Sequence, residues 1–269
     1  MEKSKKSLGQ NFLLNKEKIK EIVGALDVKS GDTVVEIGPG HGEITRELRI
    51  RNKELRIIAI EKDENLARNL EDGIGDEKTK IIEGDVLKML PSIIHNSLFK
   101  IQDYKLVGNI PYYITGFLLR TISELKNKPS ITVLTVQKEV AKRICGEMSL
   151  LSASVRYWAE PEIIGIIPKS DFSPQPKVDS AIIRLKTREN NWGVGDGDKK
   201  AENYYRFIKI LFKQPRKTAL NNLMGTKINK NELEKMLGEA GVRPNARPQD
   251  LKMTQLEILA EKTASNVVY

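Results

Sequence analysis

The sequence predicts an α/β protein, a mostly parallel sheet with helices on both faces, followed by a small all-helical carboxyl-terminal domain. Three observations carry that expectation. Short β-branched runs alternate with helical segments through the first two thirds of the chain, as when each strand is followed by a covering helix. A glycine-rich stretch, EIGPGHGEIT, follows the first of those sheet strands directly, where doubly wound sheets bind ligands. From Thr187 onward only helical periodicity remains.

Taken in order, Asn15 reads as a helix cap, because Ile19, Ile22, Val23 and Leu26 follow at the spacing of one apolar helix face. The strands are expected at TVVEI (33–37), LRIIAI (55–60), KII (80–82), YKLV (104–107) and ITVLTV (131–136), with helical GEITRELR and NLARNLE between them. EIIGII (162–167) and SAIIRL (180–185) are joined by a proline-rich segment too short for a crossover helix, so they are expected as antiparallel neighbours at the sheet edge. The polar stretch 187–200 reads as a linker. Beyond it come three apolar stripes: Tyr204, Tyr205, Ile208, Leu211 and Phe212; Leu233, Met236, Leu237 and Ala240; Leu256, Leu259 and Ala260. The expected domains are therefore 1–186 and 187–269.

Composition narrows the function. No apolar run approaches the ~18 to 20 residues of a membrane helix, and the charged amino terminus lacks a signal-peptide core, so a cytoplasmic protein is expected. A single cysteine, Cys145, excludes an intramolecular disulfide and a cysteine zinc site, and with two histidines, His41 and His95, no metal is expected. The net charge of +9 is unevenly distributed: residues 21–186 are neutral, residues 1–20 carry +4 and residues 187–269 carry +5. Charge gathered at both ends suits a polyanion such as nucleic acid.

Gly38, Gly40 and Gly42 alternate after the first sheet strand. The dinucleotide fingerprint needs glycine at position 43, where this chain has Glu43, so the spacing suits a nucleoside ligand without pyrophosphate and disfavours a dehydrogenase. Glu61 ends the second of these strands, 19 residues after Gly42, placed to accept from ribose hydroxyls. Asp85 follows the third and could accept from an adenine amine, and Asn109 ends the fourth, in NIPYYI.

These residues resemble a known family. GQNFL (9–13), EIGPGHG (36–42), IEKD (60–63), GD (84–85), NIPYYI (109–114), QKEVAKR (137–143), FSPQPKVDSAIIRL (172–185) and PRKTALNNL (215–223) are similar, in the same order, to the KsgA-type ribosomal RNA adenine dimethyltransferases. The resemblance implies a Rossmann-like methyltransferase sheet and S-adenosylmethionine as cofactor, contacted by Asn11, Leu13, Gly38, Gly40, Glu61, Asp85 and Asn109. It implies, as substrate, two adjacent adenosines in a hairpin near the 3′ end of small-subunit ribosomal RNA, methylated during ribosome biogenesis by a monomer. The alternatives are a non-catalytic assembly factor of the same fold, or a methyltransferase acting on DNA or large-subunit RNA adenine.

On this reading Asn109, with a backbone carbonyl of Ile110 or Pro111, accepts both hydrogens of the target amine. Pro111 restrains the turn, and Tyr112 and Phe172 stack on the two faces of the base. Lys5, Lys6, Arg216 and Lys217 are expected to grip RNA. Two places depart from the family: ICGEMSLLSAS (144–154) is short for the substrate-side loop, and His41 stands at a variable position and takes no role.

Overall fold

A computed structural model of the chain describes residues 9–95, 101–189 and 197–264. The strands Thr33–Ile37 (β2), Arg56–Glu61 (β3), Thr79–Glu83 (β4), Lys105–Asn109 (β5), Ile131–Gln137 (β6), Ala159–Ile167 (β7) and Ser180–Thr187 (β9) form one seven-stranded sheet in the order β4-β3-β2-β5-β6-β9-β7. Phe12–Leu13 (β1) and Phe172–Ser173 (β8) pair separately, antiparallel, with Leu13 opposite Phe172. The strands from β4 to β6 are parallel, and β9 runs antiparallel to β6, Val133 opposite Arg184. β7 lies outside β9 as the edge strand.

This order places the site. From β2 the chain winds outward to β3 and β4, then returns to β5 on the other side of β2. The helices that follow β2 and β5 therefore leave on opposite faces, opening a crevice at the carboxyl ends of these two strands. Every residue of β2 is buried, as expected for a central strand covered on both faces. Lys16–Ala25 (α1) begins where Asn15 Oδ1 accepts from the backbone N–H of Glu17 and Lys18, leaving its β-region cap residue outside the helix. It buries Ile22, Val23 and the following Leu26 in a cluster with Val34, Ile57, Val107 and Val133. Each such side chain contributes about 1.5–3 kcal/mol by leaving water.

Glu43–Arg51 (α2), Glu64–Ile74 (α3), Val86–His95 (α4) and Thr115–Glu124 (α5) follow β2, β3, β4 and β5 in turn. Lys138–Cys145 (α6) and Leu150–Arg156 (α7) come after β6. The chain divides into two compact units, one ending at Lys142 and resuming over Glu160–Thr187, the other made of Arg143–Ala159 and the chain from Arg188. The segment 143–159, read from sequence as part of domain 1–186, thus groups with the second unit. Its short loop is the end of α6 and a tight entry into α7, where Ser149 and Ser152 each accept from the other's backbone N–H.

The second unit adds Gly197–Leu211 (α8), Ala219–Leu223 (α9), Lys230–Glu239 (α10) and Met253–Thr263 (α11). Helix already starts at Gly197, so the expected linker 187–200 is helical at its end. Tyr204, Phe207, Ile208 and Leu211 of α8 pack with Leu233 and Leu237 of α10 and Leu256 and Leu259 of α11. The ring of Tyr157 stacks on Tyr204 with centroids 3.8 Å apart, and Tyr204 Oη donates to Ala153 O at 3.1 Å. Those contacts tie α7 to α8 and account for the grouping of 143–159 with the carboxyl-terminal helices.

Candidate active site

One cavity of the first unit opens at the crevice. Asn11, Leu13, Gly38, Gly40, Glu61, Asp85, Asn109, Ile110, Pro111, Tyr112 and Phe172, the cofactor and catalytic positions expected from sequence, all line it. They arrive from six segments. The turn after β2 supplies the glycines, and the ends of β3 and β5 supply Glu61 and Asn109. Asp85 follows β4, and the β1/β8 pair brings the amino-terminal residues and Phe172 to the same opening.

The glycine turn is shaped by what surrounds it. Gly38 and Gly40 both have φ near +62°, a left-handed conformation that a side chain disfavours. A Cβ at Gly40 would lie 3.0 Å from the Phe12 ring, so the turn is also closed by close approach of β1. At Gly38 the corresponding position meets no atom within 4 Å, which leaves its backbone open towards the cavity.

Glu61 is buried beside this turn. Its Oε2 accepts from Gly40 N at 3.1 Å and its Oε1 from Asp63 N at 2.9 Å. Burial pushes its pKa up, and the backbone N–H groups of Asp63, Gly40 and Lys62 oppose that shift by favouring the anion. The carboxylate is therefore fixed in place with lone pairs left over for a ligand. Beneath the turn lies Glu36, a residue that sequence reading left without a role. It is 1% exposed, its Oε2 accepts from Thr45 Oγ1 at 2.7 Å, and its Oε1 has no partner. Desolvation raises its pKa to about 8, against the Thr45 hydrogen bond, so it stands as a neutral acid tying β2 to α2 at neutral pH. The motif EIGPG contains it, but nothing in the sequence says that the strand end is dry.

Asp85 has a different setting. Its Oδ2 accepts from Lys62 Nζ at 2.8 Å and its Oδ1 from Leu87 N at 3.1 Å. The Lys62 ammonium chiefly holds its pKa below the usual carboxylate range. Lys62 lies within IEKD, where the sequence reading gave it no role.

Asn109 Nδ2 donates to Asn11 O at 2.9 Å. That bond turns Oδ1 away as an acceptor with no partner among the described residues. Pro111 O accepts from Ile114 N at 3.1 Å within the turn, so of the two carbonyls expected to act with Asn109, Ile110 O is the one left without a described partner. Tyr112 Oη and Ser180 Oγ share a hydrogen bond of 2.7 Å, which fixes the phenol ring at the cavity wall. Phe172 is 4% exposed and packs in the cluster of α1 and the sheet while touching the cavity.

The ribosomal RNA adenine dimethylase family matches residues 1–264 of the chain. The chain belongs to that family. Ribosomal RNA small subunit methyltransferase A of Dehalococcoides mccartyi strain CBDB1 is 38% identical over 271 residues, covering 98% of this chain and 90% of the relative. The enzyme of the same name from Geobacillus thermodenitrificans is 35% identical, covering 95% and 89%. Among solved structures, the 23S ribosomal RNA methyltransferase ErmE is 26% identical with a TM-score of 0.73, covering 94% of this chain and 99% of its own. A dimethyladenosine transferase from Plasmodium falciparum shares the fold, with a TM-score of 0.78 at 22% identity and coverage of 96% and 100%.

Ribosomal RNA adenine dimethylases take their methyl group from S-adenosylmethionine, and the donor set fits that cofactor. The cavity offers a turn open at Gly38 for close backbone approach, a fixed carboxylate at Glu61 for vicinal hydroxyls, and a mostly apolar lining that includes the carboxylates of Glu43, Glu61 and Asp85. Among the described residues no group of His, Cys, Asp or Glu could hold a metal ion, and no helix is long and apolar enough to cross a membrane. Lys5 and Lys6 lie outside the described residues. Arg216 and Lys217 are exposed between α8 and α9, in the second unit.

Proposed function

We propose that this chain dimethylates the exocyclic amines of two adjacent adenosines in a hairpin near the 3′ end of small-subunit ribosomal RNA. It does so as a cytoplasmic monomer acting in ribosome biogenesis. The observation that carries the chemistry is that two acceptors at the end of β5, Asn109 Oδ1 and Ile110 O, both lack a partner among the described residues on the wall of the cavity.

An adenine amine is a poor nucleophile because its lone pair is delocalised into the ring. Asn109 Oδ1 and Ile110 O accept its two hydrogens, localise that lone pair and stabilise the positive charge that forms on nitrogen. Asn11 O holds the Asn109 amide in the required orientation. Tyr112, steadied by Ser180, and Phe172, which reaches the cavity from the core, offer ring faces to a base turned out of the RNA. S-adenosylmethionine, when bound, supplies the electrophilic methyl. Gly38, Gly40 and Glu61 would hold its nucleoside, Asp85 would accept from its base, and Asn11 and Leu13 would contact it from the wall that they line. No strong base is needed, since the alkylated amine is acidic and releases its proton readily. Arg216 and Lys217, with Lys5 and Lys6, supply phosphate contacts.

The small-subunit substrate rests on the names of curated relatives at 34–38% identity, which are ribosomal RNA small subunit methyltransferases. The test is to incubate the full chain with labelled S-adenosylmethionine and either small subunits lacking the modification or naked large-subunit RNA, then identify nucleosides by mass spectrometry. Dimethyladenosine at two neighbouring positions of the small-subunit RNA is expected. Label confined to large-subunit RNA, or none in either, would reject the proposal.

A further inference from the structure

Two large aromatic rings stand in water beside the catalytic turn. Tyr113 is 57% exposed and Phe117 65%, although neighbours in the same segment, Leu118 and Leu119, are buried in the core. Tyr113 lies in the helical turn that leads into α5, and Phe117 follows four residues later, one turn along the same face. Gly116 and Arg120 are also exposed and continue that face; Arg120 Nε donates to Glu124 Oε1 at 2.8 Å in an exposed ion pair that a phosphate can displace at little cost.

Its position is defined at one end. Tyr113 lines the cavity, and a Cβ built at Gly9 would be 3.2 Å from the Tyr113 ring, so the phenol rests against the backbone that enters β1. In sequence, the residues leading into Gly9 include Lys3, Lys5 and Lys6. The stripe therefore starts at the opening of the cavity, beside Gly9, and runs outward. Packing does not require these rings, since α5 already holds the sheet through its buried face.

We infer that Tyr113 and Phe117 form a stacking platform for the unpaired nucleotides that flank the target adenosine. This inference rests on the RNA substrate proposed above. A duplex or hairpin loop that surrenders a base leaves its neighbours unstacked, and their apolar faces need cover. Aromatic rings provide that cover without regard to base identity, while a nearby cation meets the backbone. A protein partner would instead recognise apolar bulk, and aliphatic residues would serve it equally well.

The experiment uses that distinction. Phe117→Ala, Phe117→Leu and Phe117→Trp are made in the full chain, singly and with Tyr113→Leu. Each is titrated with unmodified small subunits, and with their hairpin RNA carrying 2-aminopurine beside the target adenosine. S-adenosylmethionine affinity and the melting temperature are measured alongside. Alanine and leucine at 117 are expected to weaken RNA binding at least about fivefold and to relieve the quenching of 2-aminopurine, with KM rising more than kcat falls. Tryptophan should retain both signals, and cofactor affinity should not change in the variants substituted at 117 alone. The platform is overturned if alanine and leucine bind RNA within twofold of the parent, or if leucine restores what alanine loses, the mark of an apolar protein contact. A parent that methylates no small-subunit RNA sinks the proposed function and this platform together, whereas a methylating parent with indifferent variants sinks the platform alone.

Discussion

The inside of the cavity and its rim each carry polar side chains, and the two are held differently. Glu61 and Asn109, inside, are each fixed by main-chain partners: Gly40 N and Asp63 N for the carboxylate, Asn11 O for the amide. At the rim, Asp85 is held by the Lys62 side chain as well as by Leu87 N, and the Tyr113 and Phe117 rings stand largely in solvent. These main-chain partners lie in the turn after β2, at the cap of α3 and just before β1, where short connections to the strands and to α3 hold the backbone, so the inner groups are set before any ligand arrives. A lysine whose side chain is half exposed moves at little cost, and a ligand competing for Asp85 can displace it. The lesson is that preorganisation is confined to where charge develops, and adaptability to where the ligand enters.

Breaking the inner region should have the largest effect. Asn109→Ala removes an acceptor aimed at the target amine, and kcat for methyl transfer should fall by about a hundredfold or more, with the parent's fold and a measurable cofactor affinity retained. Single-turnover assays on unmodified small subunits check it; activity within about threefold of the parent would take Asn109 out of the mechanism.

Glu61→Gln keeps the shape of the side chain but loses the charge that its backbone donors support. Hydrogen bonds to charged groups contribute roughly 1.5–3 kcal/mol, so calorimetry should show S-adenosylmethionine binding weakened by about tenfold to a hundredfold. An unchanged dissociation constant would mean that Glu61 merely braces the glycine turn.

Glu36 sharpens the comparison through pH. Its pKa in the folded chain, about 8, lies above the ordinary glutamate value of 4.5, so folding favours the protonated form. The stabilisation is complete below the unfolded pKa and is lost as pH rises towards 8, with a slope of up to about 1.4 kcal/mol per unit. Glu36→Gln should flatten this decline in urea titrations between pH 5 and 8. A variant that loses stability over that range as steeply as the parent would show that Glu36 is ionised in the folded protein.

At the rim the effects should be smallest. Lys62→Met removes one partner of an exposed ion pair, worth about 0–1 kcal/mol, so cofactor affinity at neutral pH should change by no more than a few fold. The acid limb of the binding profile should move upward, because Asp85 loses the cation that keeps its pKa low and so protonates at a higher pH. An acid limb that stays in place would separate Asp85 from cofactor binding.

What was legible in the sequence was local or periodic. The period of Ile19, Ile22, Val23 and Leu26 together with Asn15 marked α1, because a cap and an apolar stripe act within one turn of chain. The strand ends bearing Glu61 and Asn109 could be read because each acceptor closes its own β-branched run, and a mostly parallel winding puts such ends at one edge. The resemblance then supplied roles for them. What the tertiary structure alone decided is contact between distant segments. Leu13 pairs with Phe172, Asn11 O meets Asn109 Nδ2, and Tyr157 stacks on Tyr204, drawing 143–159 to the second unit. The sequence also could not tell which polar group would be dry. Glu36 and Asp85 look alike along the chain, yet one is sealed between β2 and α2 and the other meets a lysine at the opening. Capping and periodicity are set by residues a few positions apart, whereas desolvation and pairing depend on which surfaces the whole chain brings together.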